Sequence, residues 1–379
     1  MKQNNVLKGV DSVILISTGL LLLVGLIILQ SASGPSSHKF FGNAYTDFIS
    51  QLQKGVLPGL FLFLIFANFS LKWLRRLSVL GWITMIGFNA LIWVPEIGVE
   101  VNGAIRWLEI GSFRIQPAEF LKLALLIFMA TILFHLGKNI NRVQSLLWIT
   151  FIMGISASIV IVGQSSLSNG IILILIALSI LFQSKIKLKF IAIFASIAVV
   201  AIIVSIFYPQ NNDNTVNNNY REKRFTTLLQ PENASSLDEK YHTNNNMIAV
   251  GSGGIFGVGL GESRQKFFYL PEASTDSIFA VFAEEAGFVG AILLLALFLT
   301  IIFRILFLYT QISDDFSRYI LIGGVTWFTI QTLINIAPVI QLAPVTGVPL
   351  PFVSEGGTSM MVFCALFGII ANISKYRNT

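Results

Sequence analysis

Charge is scarce in this chain of 379 residues: Asp, Glu, Lys and Arg make up 12% of it, about half the roughly 25% of soluble domains. So little polar surface cannot cover a water-facing particle, which excludes a soluble enzyme, a coiled coil and a disordered tail. The one cysteine, Cys364, lies within an apolar run, so a disulfide scaffold and a cysteine metal site are also excluded. Three histidines (His38, His135, His242) are too scattered for a histidine metal cluster. No internal repeat at a fixed period is visible.

What the chain has instead is apolar sequence. Hydrophobic residues form 54% of it and mean hydropathy is +0.76, enough for roughly ten spans of about 20 residues. Apolar runs fall at about 12–31, 55–71, 77–94, 119–135, 146–163, 169–183, 190–207, 277–303, 319–337 and 358–373. The expected fold is an all-α polytopic membrane protein of about ten transmembrane helices, a single domain over 1–379. Ser31-Ala32-Ser33 resembles a signal-peptidase site, but its apolar run exceeds a usual signal core and more spans follow, so an uncleaved first helix is expected.

Ten spans put both termini on one side, and charge chooses the side. The termini and alternate loops collect 14 basic residues, Arg75, Arg76, Lys185 and Arg304 among them, against Asp11, Asp314 and Asp315. Basic residues in short loops stay inside, so both termini are expected to be cytoplasmic, in the cytoplasmic membrane. The basic balance is then a topology signal, and nucleic acid is not an expected partner. Three segments fall outside: about 95–118, 208–276 and 338–357. The middle one separates spans seven and eight; its Asn-rich part, Asn211 to Asn219, reads as flexible.

Candidate chemistry sits in these outer segments. Gly103-Ala-Ile-Arg106-Trp107 and Arg114-Ile-Gln116-Pro117-Ala-Glu119 lead into the fourth run, which carries Lys122. Pro117 suits a first helical turn, where its missing N–H is not needed. Charges in a span are costly and point to function. Arg114 and Lys122 are spaced to converge on one anionic group; the alternative is interfacial snorkelling with a Glu119–Lys122 ion pair. A second cluster runs Leu270-Pro271-Glu272-Ala-Ser274-Thr275-Asp276 and on to Glu284-Glu285-Ala-Gly287. Asp276 is either a chemical carboxylate or a plain helix cap, and one of Glu284 and Glu285 is expected to face a polar interior.

The glycine-rich segment Gly251 to Gly261 lacks the βαβ setting of a dinucleotide site and the Gly-Lys-Ser/Thr of a P-loop. Bare backbone approaching a ligand or another helix is the expected reading. Tyr220-Arg221-Glu-Lys223-Arg224-Phe225 is either a cationic contact for an anionic partner or a solvated charge run. The last outer segment holds Pro338, Pro344, Pro349 and Pro351 with Gly347, Gly356 and Gly357, which predicts a non-helical re-entrant path.

Four ordered blocks carry a resemblance: Gly-Ala-x-Arg-Trp…Gln-Pro-Ala-Glu, Gly-Ser-Gly-Gly-x-Phe-Gly-x-Gly-Leu-Gly, Leu-Pro-Glu-Ala-x-Thr-Asp…Glu-Glu-x-Gly and Thr-Gly-Val-Pro-Leu-Pro-Phe-x-Ser-x-Gly-Gly. In this order they resemble the SEDS family (shape, elongation, division and sporulation), over nearly the whole chain. The family's members polymerise lipid II into peptidoglycan outside the cytoplasmic membrane. Leu270-Pro271-Glu272-Ala273 and Arg114 look more like its cell-division branch (FtsW) than its elongation branch (RodA).

The resemblance implies Asp276 as catalytic carboxylate, Arg114 and Lys122 as holders of the lipid-linked pyrophosphate, and Arg106, Glu119, Ser354, Gly356 and Gly357 as further substrate-binding positions. It also implies a class B penicillin-binding transpeptidase and other division membrane proteins as partners, with lipid II and an undecaprenyl diphosphate-linked strand as substrates. A divalent cation, Mg or Mn, would involve Asp276, Glu285 or Glu355; no organic cofactor is expected. The chain departs from the pattern at Ser166, where relatives carry Asp, at Ser274, usually His, and at Glu355, usually aromatic. Two other classes stay open: a carrier of a lipid-linked precursor and a non-catalytic division scaffold.

Overall fold

Lipid, not water, is the solvent for most of this surface, so hydrophobicity alone does not decide which way a helix faces. In α1 (Ser12–Phe41), Leu20, Leu23 and Ile27 are exposed while Leu21, Gly25, Ile28 and Ala32 are buried. All are apolar or small; fit to neighbours sorts them. The computed structural model describes residues 9–94, 97–101, 104–111, 113–207 and 237–377. Segments 211–219 and 220–225 lie outside these.

Each of the ten apolar runs falls on a helix. α2 (Thr46–Gln51) and α3 (Leu57–Asn68) join through a π turn at Leu52–Val56 into one bent rod. α4 (Leu71–Ala90), α5 (Pro117–Leu136), α6 (Val143–Ser158), α7 (Leu167–Gln183) and α8 (Leu188–Phe207) follow. The last three apolar helices are labelled α10 (Ile278–Gln311), α11 (Asp315–Val339) and α12 (Gly357–Ser374). Eight helical stretches are long and apolar enough to cross a membrane; α7 and α8 carry the two remaining runs.

Two elements were not expected. A three-stranded antiparallel sheet, β1 (Gly98–Val101), β2 (Ala104–Ile110) and β3 (Phe113–Ile115) in that order, occupies the first outer segment, so the chain is not purely α-helical. These strands are short, and only Ala104 and Leu108 show the period of two in their burial. In the second segment, α9 (Leu237–Ser252) precedes a series of turns up to Ser277. Its polar sequence gave no apolar stripe to read.

The centre of the bundle is α12, in which every residue from Thr358 to Ser374 is buried. Small residues set its distance from α3: a Cβ on Gly59 would press on Cys364 Sγ at 2.9 Å, and one on Gly368 would meet the Phe63 carbonyl at 2.6 Å. Phe328, Phe352, Phe363 and Phe367 interlock with centroids 5.1–6.4 Å apart. Phe352 belongs to residues 340–356, which carry no helix or strand yet bury Val348, Leu350, Phe352 and Val353. This is the re-entrant path the prolines predict. Its depth depends on Gly25 of α1, where a Cβ would overlap the Phe352 carbonyl.

α10 is broken at Gly287, whose φ of 68° and ψ of −170° leave the helical region. The carbonyls freed there accept backbone bonds from the glycine-rich segment: Val258 N–H to Glu284 and Gly259 N–H to Glu285, both at 3.0 Å. Phe288 and Val289 N–H donate back to Gly254 and Ile255. Gly257 and Gly287 meet backbone to backbone, so this glycine segment serves a helix. At the opposite end, buried Asp11 accepts from Arg304 at 2.6–3.1 Å, from Arg377 at 2.9 Å and from the amides of Val13 and Ile14. Its own N–H donates to Ser374 Oγ, tying α1 to α10 and α12.

Gly287→Ala is expected to abolish accumulation of folded protein, because its Cβ would overlap the Gly257 amide at a positive φ; size-exclusion of detergent extracts checks this. Burial opposes ionisation of Asp11, but hydrogen bonds from Arg304 and Ile14 and the charges of Arg304 and Arg377 outweigh it and hold the carboxyl below its usual range. That stabilisation is present above the unfolded pKa of about 4 and is lost as pH falls through the lower folded value. Asp11→Asn is expected to cost about 1–3 kcal/mol at pH 7, and its melting temperature should lose this acid dependence; thermal unfolding from pH 3 to 7 tests both.

Candidate active site

Asp276 stands one residue before the cap position of α10, which is Ser277. It is partly buried, and its Oδ2 faces Gly347, lying 3.7 Å from where a Cβ there would sit. The segment carrying it is anchored at both ends. Upstream, Glu284 accepts from Ser263 Oγ at 2.5 Å and from the amides of Arg264 and Gln265. Beside it, Glu285 pairs with Lys266 Nζ at 2.7 Å and accepts from Ser31 Oγ of α1 at 2.6 Å. Both carboxylates thus face inward, where one was expected, and each has partners. Glu272 and Phe268 hold left-handed φ angles of 52° and 70° in the same segment.

Downstream, residues 350–356 grip the segment. Ser354 Oγ donates to the Thr275 carbonyl at 2.6 Å and accepts from Leu350 N–H at 2.9 Å. Ser274 Oγ donates to Glu355 Oε2 at 2.8 Å, while Glu355 N–H donates to the Ser274 carbonyl at 2.9 Å. Gly356 N–H reaches Gln51 Oε1, and a Cβ on Gly357 would lie 3.0 Å from the Lys54 carbonyl. Of the residues expected to bind substrate, Ser354 is buried with both its hydrogen-bonding roles filled, and Gly356 and Gly357 are partly buried and permit close packing. Burial pushes the Glu355 carboxyl above the usual range; the Ser274 hydroxyl works against this, and the charges of Asp47 and Glu272 add to it.

The expected convergence of Arg114 and Lys122 does not occur. Arg114 is exposed on β3, 3.7 Å from Glu109. Lys122 is 0% exposed, and its ammonium donates to Glu119 at 2.5 Å, Gln331 at 3.1 Å and Asn169 at 3.2 Å, 5.2 Å from the centre of the Trp327 ring. The Glu119–Lys122 pair forms, but in the interior and not by snorkelling, because α5 lies inside the bundle. Arg106 donates to the carbonyls of Gln164 and Ser165, fastening β2 to the α6–α7 connection. Ser166 accepts from Asn169, which gives it a neutral link to Lys122. Sequence reading missed Asn169, Gln331, Gln51 and Lys266; the first two announce themselves as polar residues inside apolar runs.

Among the described residues no three His, Cys, Asp or Glu side chains stand placed to hold a metal ion. With Glu285 engaged by Lys266, the set Asp276, Glu285 and Glu355 does not form a cage for Mg or Mn.

Fold and site together define a multi-pass membrane protein with a carboxylate-bearing loop clamped at one end of its bundle. The family described as cell cycle protein, covering FtsW, RodA and SpoVE, matches residues 11–379, and the chain belongs to it; this is the SEDS family of the sequence blocks. It is 32% identical to stage V sporulation protein E of Bacillus subtilis over 97% of each chain. It is also 32% identical to the probable peptidoglycan glycosyltransferase FtsW of Coxiella burnetii over 98% of each. The fold matches Thermus thermophilus rod shape determining protein RodA with a TM-score of 0.71 at 22% identity, over 98% of each chain. A chain from a structure of a peptidoglycan synthase complex, described as coordinating polymerization and crosslinking, gives 0.76 at 22% identity, over 97% of this chain and 98% of that one.

Removing one member of a buried ion pair costs about 3–5 kcal/mol, because the other charge is left unanswered. Lys122→Met or Glu119→Leu alone is therefore expected to destabilise strongly, and the double variant to recover most of the loss. A double-mutant cycle of melting temperatures in detergent checks this.

Proposed function

We propose that this chain is a peptidoglycan glycosyltransferase that polymerises lipid II at the outer face of the cytoplasmic membrane, in cell division. The observation that carries the reading is the clamped Asp276, held beside the start of α10 and walled by Gly347. The inward bias of basic residues supports the reading that Asp276 lies outside and that both termini are cytoplasmic. Relatives bearing the name peptidoglycan glycosyltransferase FtsW, at 28–33% identity, support the activity.

In this mechanism the 4-hydroxyl of one lipid-linked sugar attacks the anomeric carbon of the other. The Asp276 carboxylate takes the hydroxyl proton as the new C–O bond forms. The bond to diphosphate breaks, and undecaprenyl diphosphate leaves with the electron pair. A positioned base of this kind contributes about 10²–10⁴-fold. Negative charge grows on the leaving diphosphate, and exposed Arg114 and Arg264 are cations at the same end of the bundle. Lys122 acts from within, as the interior pair that fixes α5 against α7 and α11.

A carrier needs charges reachable in turn from both sides. Lys122 and Glu119, the charges deepest in α5, are 0% and 1% exposed and bound to each other, which favours the enzyme. The synthase complex coordinating polymerization and crosslinking supports a class B penicillin-binding transpeptidase as partner. Purified protein in liposomes with labelled lipid II, with and without that partner, tests the activity. Asp276→Asn is expected to lower polymerisation by about 10²-fold or more with insertion and melting temperature unchanged. Full polymerisation by this variant would overturn the assignment of Asp276.

A further inference from the structure

Ser274 and Glu355 lie 81 residues apart in sequence, yet they are joined twice. The Ser274 hydroxyl donates to the Glu355 carboxylate, and the Glu355 amide donates to the Ser274 carbonyl. Such a double link fixes both the position and the orientation of a peptide, where one hydrogen bond leaves a rotation free. Immediately alongside, Ser354 Oγ holds the Thr275 carbonyl, so two consecutive residues before Asp276 are pinned to two consecutive residues of the re-entrant segment.

That segment is itself immobilised. Leu350, Phe352 and Val353 are buried in the aromatic core, and Gly356 is bonded to Gln51. Thr358, at the start of α12, receives the Gln116 amide at 3.2 Å. The chain of contacts therefore runs from the rigid start of α12, through Glu355, to Ser274 and so to Asp276.

We propose that Glu355 is a positioning residue for Asp276, which through Ser274 holds the carboxylate-bearing segment against the start of the last helix. Three carboxylates of the neighbourhood divide by role: Asp276 faces the wall at Gly347, Glu355 holds the loop, and Glu272 bends it through a left-handed φ. Positioning of this sort acts on turnover more than on affinity, because a base displaced by about 1 Å loses about 10²-fold without loss of binding area. The inference rests on the reading of Asp276 as the base, but the contact itself is independent of that reading.

The test uses the full-length protein in liposomes. Glu355→Gln keeps an oxygen able to accept from Ser274 and should retain at least about a third of kcat. Glu355→Ala should lower kcat about tenfold or more with KM changed less than about threefold. In parallel, hydrogen–deuterium exchange of residues 272–277 should quicken about tenfold in Glu355→Ala and stay near wild type in Glu355→Gln. Should Glu355→Ala fail to insert, Ser274→Ala removes the side-chain half of the link and should quicken the same exchange about threefold. Unchanged exchange in Glu355→Ala, or in Ser274→Ala should Glu355→Ala not insert, or equal kcat loss in Glu355→Gln and Glu355→Ala, would overturn the proposal. A wild-type protein that exchanges as expected but never polymerises lipid II would overturn the glycosyltransferase reading and leave the positioning contact standing.

Discussion

A polar group placed in a bilayer must be answered by another polar group of the same molecule, because lipid offers no hydrogen bonds. That constraint explains features that otherwise look unrelated. α10 can break at Gly287 because the glycine-rich segment brings amides and carbonyls to the break. Lys122 can lie at the centre because Glu119, Asn169 and Gln331 surround it. Residues 340–356 can descend without a helix because Gln331 donates to the Pro349 carbonyl and Asn335 to that of Val348.

The same polar answers build the site. α12 contributes little polarity, yet its buried position makes its first turn a fixed reference against which Arg114, Gln116 and Gln51 are placed. Glu284 and Glu285 hold the upstream end of the Asp276 segment, and Ser354 and Glu355 hold the downstream end. Asp276 thus sits on a segment that holds left-handed φ angles and is tied at both ends to the rigid bundle.

Asp11 does for the other end what Glu284 and Glu285 do near the site, joining α1, α10 and the end of α12 through one carboxylate. Asp11 caps the free amides of its own helix start, Glu284 answers the amides of Arg264 and Gln265 in a neighbouring turn, and Glu285 answers the side chains of Lys266 and Ser31.

Much of this was legible in residue order. Low charge with ten apolar runs required a membrane bundle, Pro117 marked the start of α5, and the prolines and glycines after Pro338 required a path that is not helical. The blocks around Asp276 marked the loop that carries the proposed base. Residue order did not reveal that Lys122 points inward, that Ser354 is spent on Thr275, or that Glu285 belongs to Lys266. Nor did it show that Ser274 and Glu355 touch. In lipid every face of a helix is apolar, so the pattern that tells inside from outside in water is missing. Which polar residue meets which is decided only when helices distant in sequence pack at the separations their glycines allow.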